Sequence, residues 1–261
     1  METSDSIVMR CFTIKYFKSV SSASSVFYSY LHDSTIPLFH FLIIPDSVNF
    51  ADKHSTYMTI ILVIVTSLIS IVCFSKPDFM AQLQFNPYRV YHKKEWYRLV
   101  THGFLHANWF HLIINMFVLF TFGTAVENYF KQLNTADIVK YPNINFLLLY
   151  FGGIIISSLT TLKKHRNNYP YNAVGASGAV SAIVFTSIFF NPLHTLILYF
   201  IPLPAILAGI LYLVYSHYMS KRGGDNINHD AHFLGAVFGF IFPLLIDFKL
   251  INIFLQQLNI L

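Results

Sequence analysis

Residues 103–126, with the sequence GFLHANWFHLIINMFVLFTFGTAV, form an apolar run that carries His106, His111 and Asn115 among its first 13 residues. A helix needs about 20 residues to cross the roughly 30 Å of hydrocarbon in a bilayer, so a run of this length predicts a membrane-spanning helix. Imidazole and amide groups are costly inside a membrane and usually have a function there. The stretch therefore predicts both a membrane fold and a polar centre within it.

The composition of the whole chain agrees with this prediction. Its 261 residues are 55% hydrophobic and 11% charged, with a mean hydropathy of +0.54. Soluble domains usually carry about 25% charged residues, so the chain is predicted to be an all-α integral membrane protein. We expect Pro202 and Pro204 to kink or unwind the fifth of its spans. Six candidate spans are predicted at Tyr57–Phe74, Gly103–Val126, Ile144–Leu162, Ala173–Phe190, Leu193–Met219 and His229–Ile246.

Residues 57–247 therefore form one predicted six-helix domain with a segment at each end. Residues 1–56 are interpreted as an N-terminal extension. Because Met58 lies at the start of the first span, an alternative is that the extension is not part of the natural protein. Residues 248–261 are predicted to form a short amphipathic tail that lies on the bilayer surface.

Polar residues recur at the starts of alternate spans. The second, fourth and sixth spans cross the membrane in the same direction, so their N-terminal halves lie on the same side. We therefore expect the polar groups of three helices to meet at one depth of one leaflet. They are His106, His111 and Asn115 in the second span, Gly175, Ser177 and Gly178 in the fourth, and His229 and His232 in the sixth.

Ser177 and His232 have a structural and a functional interpretation. Small residues around Ser177 favour close helix packing, and a histidine near the interface can simply bond a loop carbonyl. His232, Gly235 and Gly239 share one helical stripe, however, and this stripe could bring the imidazole to the hydroxyl of Ser177. Ser177 would then be a nucleophile and His232 its general base. His229 is a rival base that we expect to face solvent.

His111 and Asn115 are four residues apart and share a helix face. They could donate hydrogen bonds to a developing oxyanion, or hold helices together as ordinary interhelical contacts. A metal site built from the histidines is a further alternative, although no acidic or thiolate ligand lies close in sequence. Asp230 is only two residues from His232 and is expected to point elsewhere.

The chain resembles the rhomboid family of intramembrane serine proteases in five motifs that occur in the expected order. The resemblance runs from about Met58 to Asp247. The motifs are Trp96-Tyr-Arg98, the spacing of His106, His111 and Asn115, the acidic Glu127, Gly175-Ala-Ser177-Gly178, and His232 with Gly235 and Gly239.

The resemblance implies a six-helix protease with a Ser177–His232 dyad and no acidic third member. It implies an oxyanion hole formed by the side chains of Asn115 and His111 and the backbone N–H of Ser177, with Gly175, Gly178 and His106 as supporting residues. Several relatives place an aromatic residue against the base, one turn after the nucleophile, where this chain has Ser181. The fifth span is the family's proposed lateral gate for substrates.

The expected substrates are the transmembrane helices of other membrane proteins, and no cofactor is expected. The net charge of +5 suits contact with anionic membrane lipids. Nucleic acid is not expected as a partner, because the basic residues are scattered over the connecting segments. We expect the protein in the cell (inner) membrane. Two alternatives stay open: a non-proteolytic rhomboid-like protein that binds membrane helices, and a small polytopic transporter.

Overall fold

The computed structural model describes residues 56–198, 201–222 and 227–260, and this part of the chain is mostly helical. The predicted extension lies outside the described residues except for Thr56. Six longer helices are α1 (Tyr57–Ser75), α5 (Trp109–Thr135), α6 (Pro142–His165), α7 (Ser177–Phe190), α8 (Ala205–Arg222) and α9 (His229–Ile246). Shorter helices are α2 (Pro77–Leu83), α3 (Pro87–Lys93), α4 (Arg98–Thr101) and α10 (Ile251–Gln257), with 3-10 turns at His102–Phe104 and Phe248–Leu250.

Four of these helices, α1, α5, α6 and α9, are long and apolar enough to cross a membrane. Helix α7 is apolar but has only 14 residues, and α8 carries Lys221 and Arg222 in its last turn. The predicted all-α membrane bundle is confirmed. The predicted count of six spans is compatible with the six longer helices.

The second predicted span begins too early, because α5 starts at Trp109 rather than Gly103. The side chain of Asn108 accepts a hydrogen bond from the backbone N–H of His111 at 2.8 Å and so caps the helix. The residues before it form a 3-10 turn and an extended link. His106 therefore lies in a loop, while His111 and Asn115 lie in the first two turns of α5.

The fifth predicted span is partly wrong. Its first residues form an antiparallel hairpin of β1 (Thr195–Leu198) and β2 (Ile201–Pro204), in which Thr195 lies opposite Pro204. Proline lacks a backbone N–H and disfavours helix in the residue before it, but it is tolerated in an edge strand. Pro202 and Pro204 therefore lie ahead of helix α8 and do not kink it.

Helix α7 is the centre of the bundle and packs against α5, α6, α8 and α9. Its contact with α9 is a backbone contact: a Cβ atom placed on Gly235 would overlap the carbonyl of Gly178, and one on Gly239 would overlap that of Ala182. The hydroxyl of Thr186 also donates to the carbonyl of Gly239 at 2.6 Å. The predicted glycine stripe is thus the surface that joins α9 to α7.

The C-terminal tail contains the predicted short helix. Leu250 is buried, and the Phe254 ring stacks on Phe189 of α7 with centroids 5.3 Å apart. The tail therefore packs against the bundle through these two residues. Its position on a bilayer surface stays a prediction.

Candidate active site

Ser177 is the first residue of α7, and the loop that leads to it is bonded to the first loop of the bundle. Phe85 and Ala173 exchange two backbone hydrogen bonds of 2.9 Å, and the N–H of Gly175 donates to the carbonyl of His102 at 3.0 Å. Gly175 has a φ of +132°, which favours glycine. Because the first N–H groups of a helix have no intrahelical acceptor, the amide of Ser177 is available to a ligand.

The hydroxyl of Ser177 and the imidazole of His232 are in direct contact, with Oγ and Nε2 2.8 Å apart. The imidazole of His232 is buried. The glycine contact between α7 and α9 brings the two side chains together, as the sequence predicts. If Ser177 donates this hydrogen bond, then Nε2 is the unprotonated nitrogen of a neutral imidazole.

His111 lies beside Ser177 across Gly175. A Cβ atom on Gly175 would be 3.0 Å from Cε1 and 3.3 Å from Nε2 of His111, and 3.8 Å from the hydroxyl oxygen of Ser177. His111 of the second predicted span is therefore a neighbour of Gly175 and Ser177 of the fourth. The absence of a side chain at Gly175 leaves the space between the imidazole and the hydroxyl open.

Asn115 is buried on the same helix as His111, and its amide nitrogen donates to the His111 carbonyl at 2.9 Å. The side chain thus bonds its own helix. An amide nitrogen carries two hydrogens, so this bond uses one of the two.

His106 is fully buried and supports His111 from the loop. Its Nδ1 lies 2.9 Å from the hydroxyl of Ser70, and this hydroxyl donates to the carbonyl of Phe104 at 2.8 Å, so Nδ1 carries the hydrogen. The His106 and His111 rings meet edge to face with centroids 4.9 Å apart. Burial, followed by the charge of His111, lowers the pKa of His106 to about 3.

The other histidine and acid of the sixth helix lie apart from this contact. The expectation that His229 faces solvent is wrong, because the residue is buried, with its ring centroid 6.1 Å from that of His232. It faces inward beside Tyr215, at 5.9 Å between centroids. Asp230 forms an ion pair with Lys164 at 3.4 Å and so points away from the dyad, as predicted.

Glu127 lies at the end of the bundle opposite to Ser177, beside the N-terminus of α1. Its buried carboxylate accepts hydrogen bonds from the backbone N–H and hydroxyl of Thr59 at 3.0 and 2.9 Å, and from the N–H of Met58 at 3.3 Å. Lys131, one turn later on α5, forms an ion pair with this carboxylate, with Nζ 2.8 Å from Oε1 of Glu127. Glu127 therefore caps the N-terminus of α1, where the positive end of the helix dipole favours an anion.

The first loop is braced by residues that sequence reasoning did not assign to the site. Arg98 is buried and donates to the carbonyls of Ala81 and Gln84 at 2.9 and 2.7 Å. His102 donates from Nδ1 to the carbonyl of Arg98 at 2.8 Å, and its Nε2 lies 3.2 Å from the hydroxyl of Ser158. Burial lowers the pKa of His102 to about 4. In the sequence, the motif Trp96-Tyr-Arg98 indicates a role for Arg98, and no comparable motif indicates one for His102.

A second set that the sequence did not assign adjoins the dyad. The hydroxyl of Tyr212, on α8, lies 2.9 Å from the hydroxyl of Ser181. The ring of Tyr212 is nearly parallel to the imidazole of His232. A tyrosine within an apolar helix carries no local signal of such a contact.

A metal site built from histidines is one alternative from the sequence, and the described residues contain no such cluster of ligands. Within residues 56–198, 201–222 and 227–260, no group of three or more His, Cys, Asp or Glu side chains is placed to hold a metal ion. The histidines near Ser177 instead have the hydrogen bonds and ring contacts given above.

The fold and the site define the class of protein: an integral membrane helix bundle in which a serine at the start of the central helix contacts a buried histidine of a neighbouring helix. The family model described as "Rhomboid domain" matches residues 93–247, more than half of the chain. The chain therefore belongs to the rhomboid family, which includes serine intramembrane proteases.

Three relatives are similar to this chain over part of its length. RHOMBOID-like protein 12, mitochondrial, of Arabidopsis thaliana is 33% identical over 53% of this chain and 43% of its own length. Rhomboid-like protein 11, chloroplastic, of the same plant is 31% identical over 56% and 51%. Putative rhomboid protease YdcA of Bacillus subtilis (strain 168) is 30% identical over 58% and 67%. The first two matches thus span about half the length of those relatives.

Proposed function

We propose that this protein is an intramembrane serine endopeptidase in which Ser177 is the nucleophile and His232 the general base. The observation that carries the proposal is the 2.8 Å contact between the Ser177 hydroxyl and the His232 Nε2 at the start of α7. A serine hydroxyl is a weak nucleophile until an adjacent base accepts its proton. The name of the Bacillus subtilis relative supports the same class of reaction.

The proposed reaction uses the two side chains in turn. His232 accepts the proton of Ser177 as Oγ attacks the scissile carbonyl, and a tetrahedral intermediate forms. His232 then gives the proton to the leaving amine, which departs and leaves an acyl ester on Ser177. A water molecule, deprotonated by His232, attacks the ester; the bond to Ser177 then breaks, His232 returns the proton to Oγ, and the second product leaves with a new carboxyl group.

The oxyanion is proposed to bind three donors: the backbone N–H of Ser177, the imidazole of His111 and the amide of Asn115. The position of Ser177 at the first turn of α7 and the neighbouring position of His111 across Gly175 support the first two donors. Asn115 would contribute the hydrogen that does not bond the His111 carbonyl. Removing one such donor typically costs about 2.7–4 kcal/mol of barrier lowering.

The length of α7 supports cleavage inside the membrane. Fourteen residues of helix extend about 21 Å, whereas the hydrocarbon is about 30 Å thick. A helix this short that is level with one surface would begin several ångströms below the other, so Ser177 would lie below the lipid surface. The proposed substrates are transmembrane helices of membrane proteins, whose scissile carbonyl must leave its helical hydrogen bond before attack.

The chain is an integral membrane protein, and membrane lipids are its proposed surroundings and partners. The cell (inner) membrane stays a prediction, since two of the similar proteins are named for the mitochondrion and the chloroplast.

The proposed lateral gate is the fifth span, which contains helix α8. Pro202 and Pro204 lie in the hairpin that precedes α8, so they would be in the segment that connects the proposed gate to the rest of the bundle.

The proposal is tested with purified protein in liposomes and a membrane-helix reporter substrate. Ser177→Ala and His232→Ala are each expected to abolish cleavage while leaving the fold intact. Ser187→Ala, on the same helix, is the matched control and is expected to cleave normally. A folded wild-type protein that binds the reporter without cutting it would favour the non-proteolytic alternative. Ion or solute flux that persists in Ser177→Ala would favour the transporter.

A further inference from the structure

Three helices contribute one side chain each to a cluster that includes the base of the dyad: Ser181 from α7, Tyr212 from α8 and His232 from α9. The hydroxyl groups of Ser181 and Tyr212 are 2.9 Å apart. The rings of Tyr212 and His232 lie at an interplanar angle of 20°, with centroids 6.5 Å apart. Ser181 follows Ser177 by one helical turn, so the nucleophile and the partner of Tyr212 share one face of α7.

The tyrosine ring is held at both its edge and its tip. Its hydroxyl bonds Ser181, and its ring contacts Phe185 of α7 at 5.8 Å between centroids. A ring fixed in this way limits how far a neighbouring imidazole can turn, because offset-parallel aromatic pairs are favoured at centroid distances of 4.5–7 Å. The bond from Nε2 to Ser177 holds one atom of the His232 ring.

We propose that Tyr212 is a positioning residue that keeps the His232 imidazole aligned with Ser177, and that Ser181 holds Tyr212 in place. This inference rests on the proposed function of the dyad. It means that the aromatic support of the base comes from a different helix, α8, rather than from the helix that carries the nucleophile.

Helix α8 carries Tyr212, so the packing of this helix affects the base. Much of this helix is exposed on an apolar outer side, including Ile210, Leu211 and Val214. Its inner side meets α7 at Gly209, where an added Cβ atom would be 3.0 Å from Ile188. Moving α8 outward by about 1 Å would stretch the bond between Ser181 and Tyr212 beyond hydrogen-bonding distance. The alignment of the base therefore depends on α8 staying packed against the bundle.

Activity measurements separate the ring of Tyr212 from its hydroxyl. Tyr212→Leu is expected to lower kcat about tenfold, equivalent to about 1.4 kcal/mol, with KM little changed. Tyr212→Phe keeps the ring and is expected to recover most of that loss. Tyr218→Leu makes the same change at an exposed position of α8 and is expected to cleave normally. Equal losses in Tyr212→Leu and Tyr212→Phe, or none in either, would overturn the proposal.

A double-mutant cycle tests the role of Ser181. Ser181→Ala removes the hydrogen bond between Ser181 and Tyr212, whereas Tyr212→Phe removes that bond and the bond of the same hydroxyl to Ser216. The double variant is therefore expected to lose no more kcat than Tyr212→Phe alone. Losses that add fully would show that the two side chains act independently, and this result would overturn the assignment of Ser181.

A measurement without turnover separates this inference from the proposed function. In protein with ¹⁵N-labelled histidine, the Nε2 signal of His232 in Tyr212→Leu is expected to shift toward its position in Ser177→Ala. The signal in Tyr218→Leu is expected to stay at its wild-type position. A wild-type signal in Tyr212→Leu would overturn the positioning role whether or not the protein cleaves. Normal signals without cleavage by the wild type would instead count against the proposed function.

Discussion

Replacing Gly235 by alanine tests how far the dyad depends on the contact between α7 and α9. The new Cβ atom would overlap the carbonyl oxygen of Gly178 and lie 2.9 Å from its carbonyl carbon. Carbon atoms in favourable contact are about 3.5–4.0 Å apart, so the two helices would have to separate by about 1 Å. The obstacle is backbone, which cannot turn aside as a side chain can.

The expected effect follows from this displacement. A separation of about 1 Å would lengthen the 2.8 Å contact between Ser177 and His232 to roughly 3.8 Å, beyond hydrogen-bonding distance. Misplacement of that size can cost about 100-fold in rate. Overpacking should also lower the free energy of unfolding by about 1–3 kcal/mol.

The assay compares cleavage of the membrane-helix reporter with thermal unfolding in detergent. Gly152→Ala is the matched control: its Cβ would lie 2.7 Å from the tip of the Phe238 ring, a side chain that can move. This control is expected to keep normal activity and stability. A folded Gly235→Ala protein that cleaves at the wild-type rate would refute the reasoning that close glycine packing aligns the dyad.

Three further predictions concern the surroundings of the site. Gly175→Ala should reduce cleavage at least tenfold with a smaller loss of stability, because its φ of +132° and the His111 ring 3.0 Å from the new Cβ both oppose a side chain; unchanged kcat/KM would contradict this. Glu127→Ala should lower the free energy of unfolding by about 2 kcal/mol because α1 loses its cap; unchanged thermal unfolding would contradict this. The pKa of His102 is about 4 in the native protein and 6.5 in the unfolded chain, so between these pH values only the unfolded chain binds a proton on this residue. The contribution of His102 to the free energy of unfolding is therefore complete above pH 6.5 and falls as the pH drops toward 4. The melting temperature should depend less on pH between 6.5 and 4 in His102→Gln than in the wild type, and an equal dependence would contradict the assignment.

The sequence was sufficient to predict the helical membrane fold and the meeting of Ser177 with His232. Both predictions rest on spacing: long apolar runs set the helices, and the stripe of His232, Gly235 and Gly239 sets which face of α9 meets α7. Helices that alternate in direction then bring their polar starts to one side. These rules need only the order of residues along the chain.

The parts that sequence reasoning missed depend on contacts between distant segments. Leu193–Pro204 is nearly all apolar and reads as the start of a span, but the prolines favour a hairpin once the chain can pair with itself. His229 lies beside a polar loop, yet the packing of α8 buries it next to Tyr215. Tyr212 could not be predicted either, because its contacts with Ser181 and His232 join three helices.

Labelling with a serine-directed fluorophosphonate tests the central claim most directly. The reagent phosphonylates a serine whose proton is taken by a neighbouring base, and mass spectrometry identifies the modified residue. We predict a single adduct on Ser177 in the folded wild-type protein, and none in Ser177→Ala or His232→Ala. An adduct on another residue, or equal labelling of the wild type and Ser177→Ala, would contradict the account.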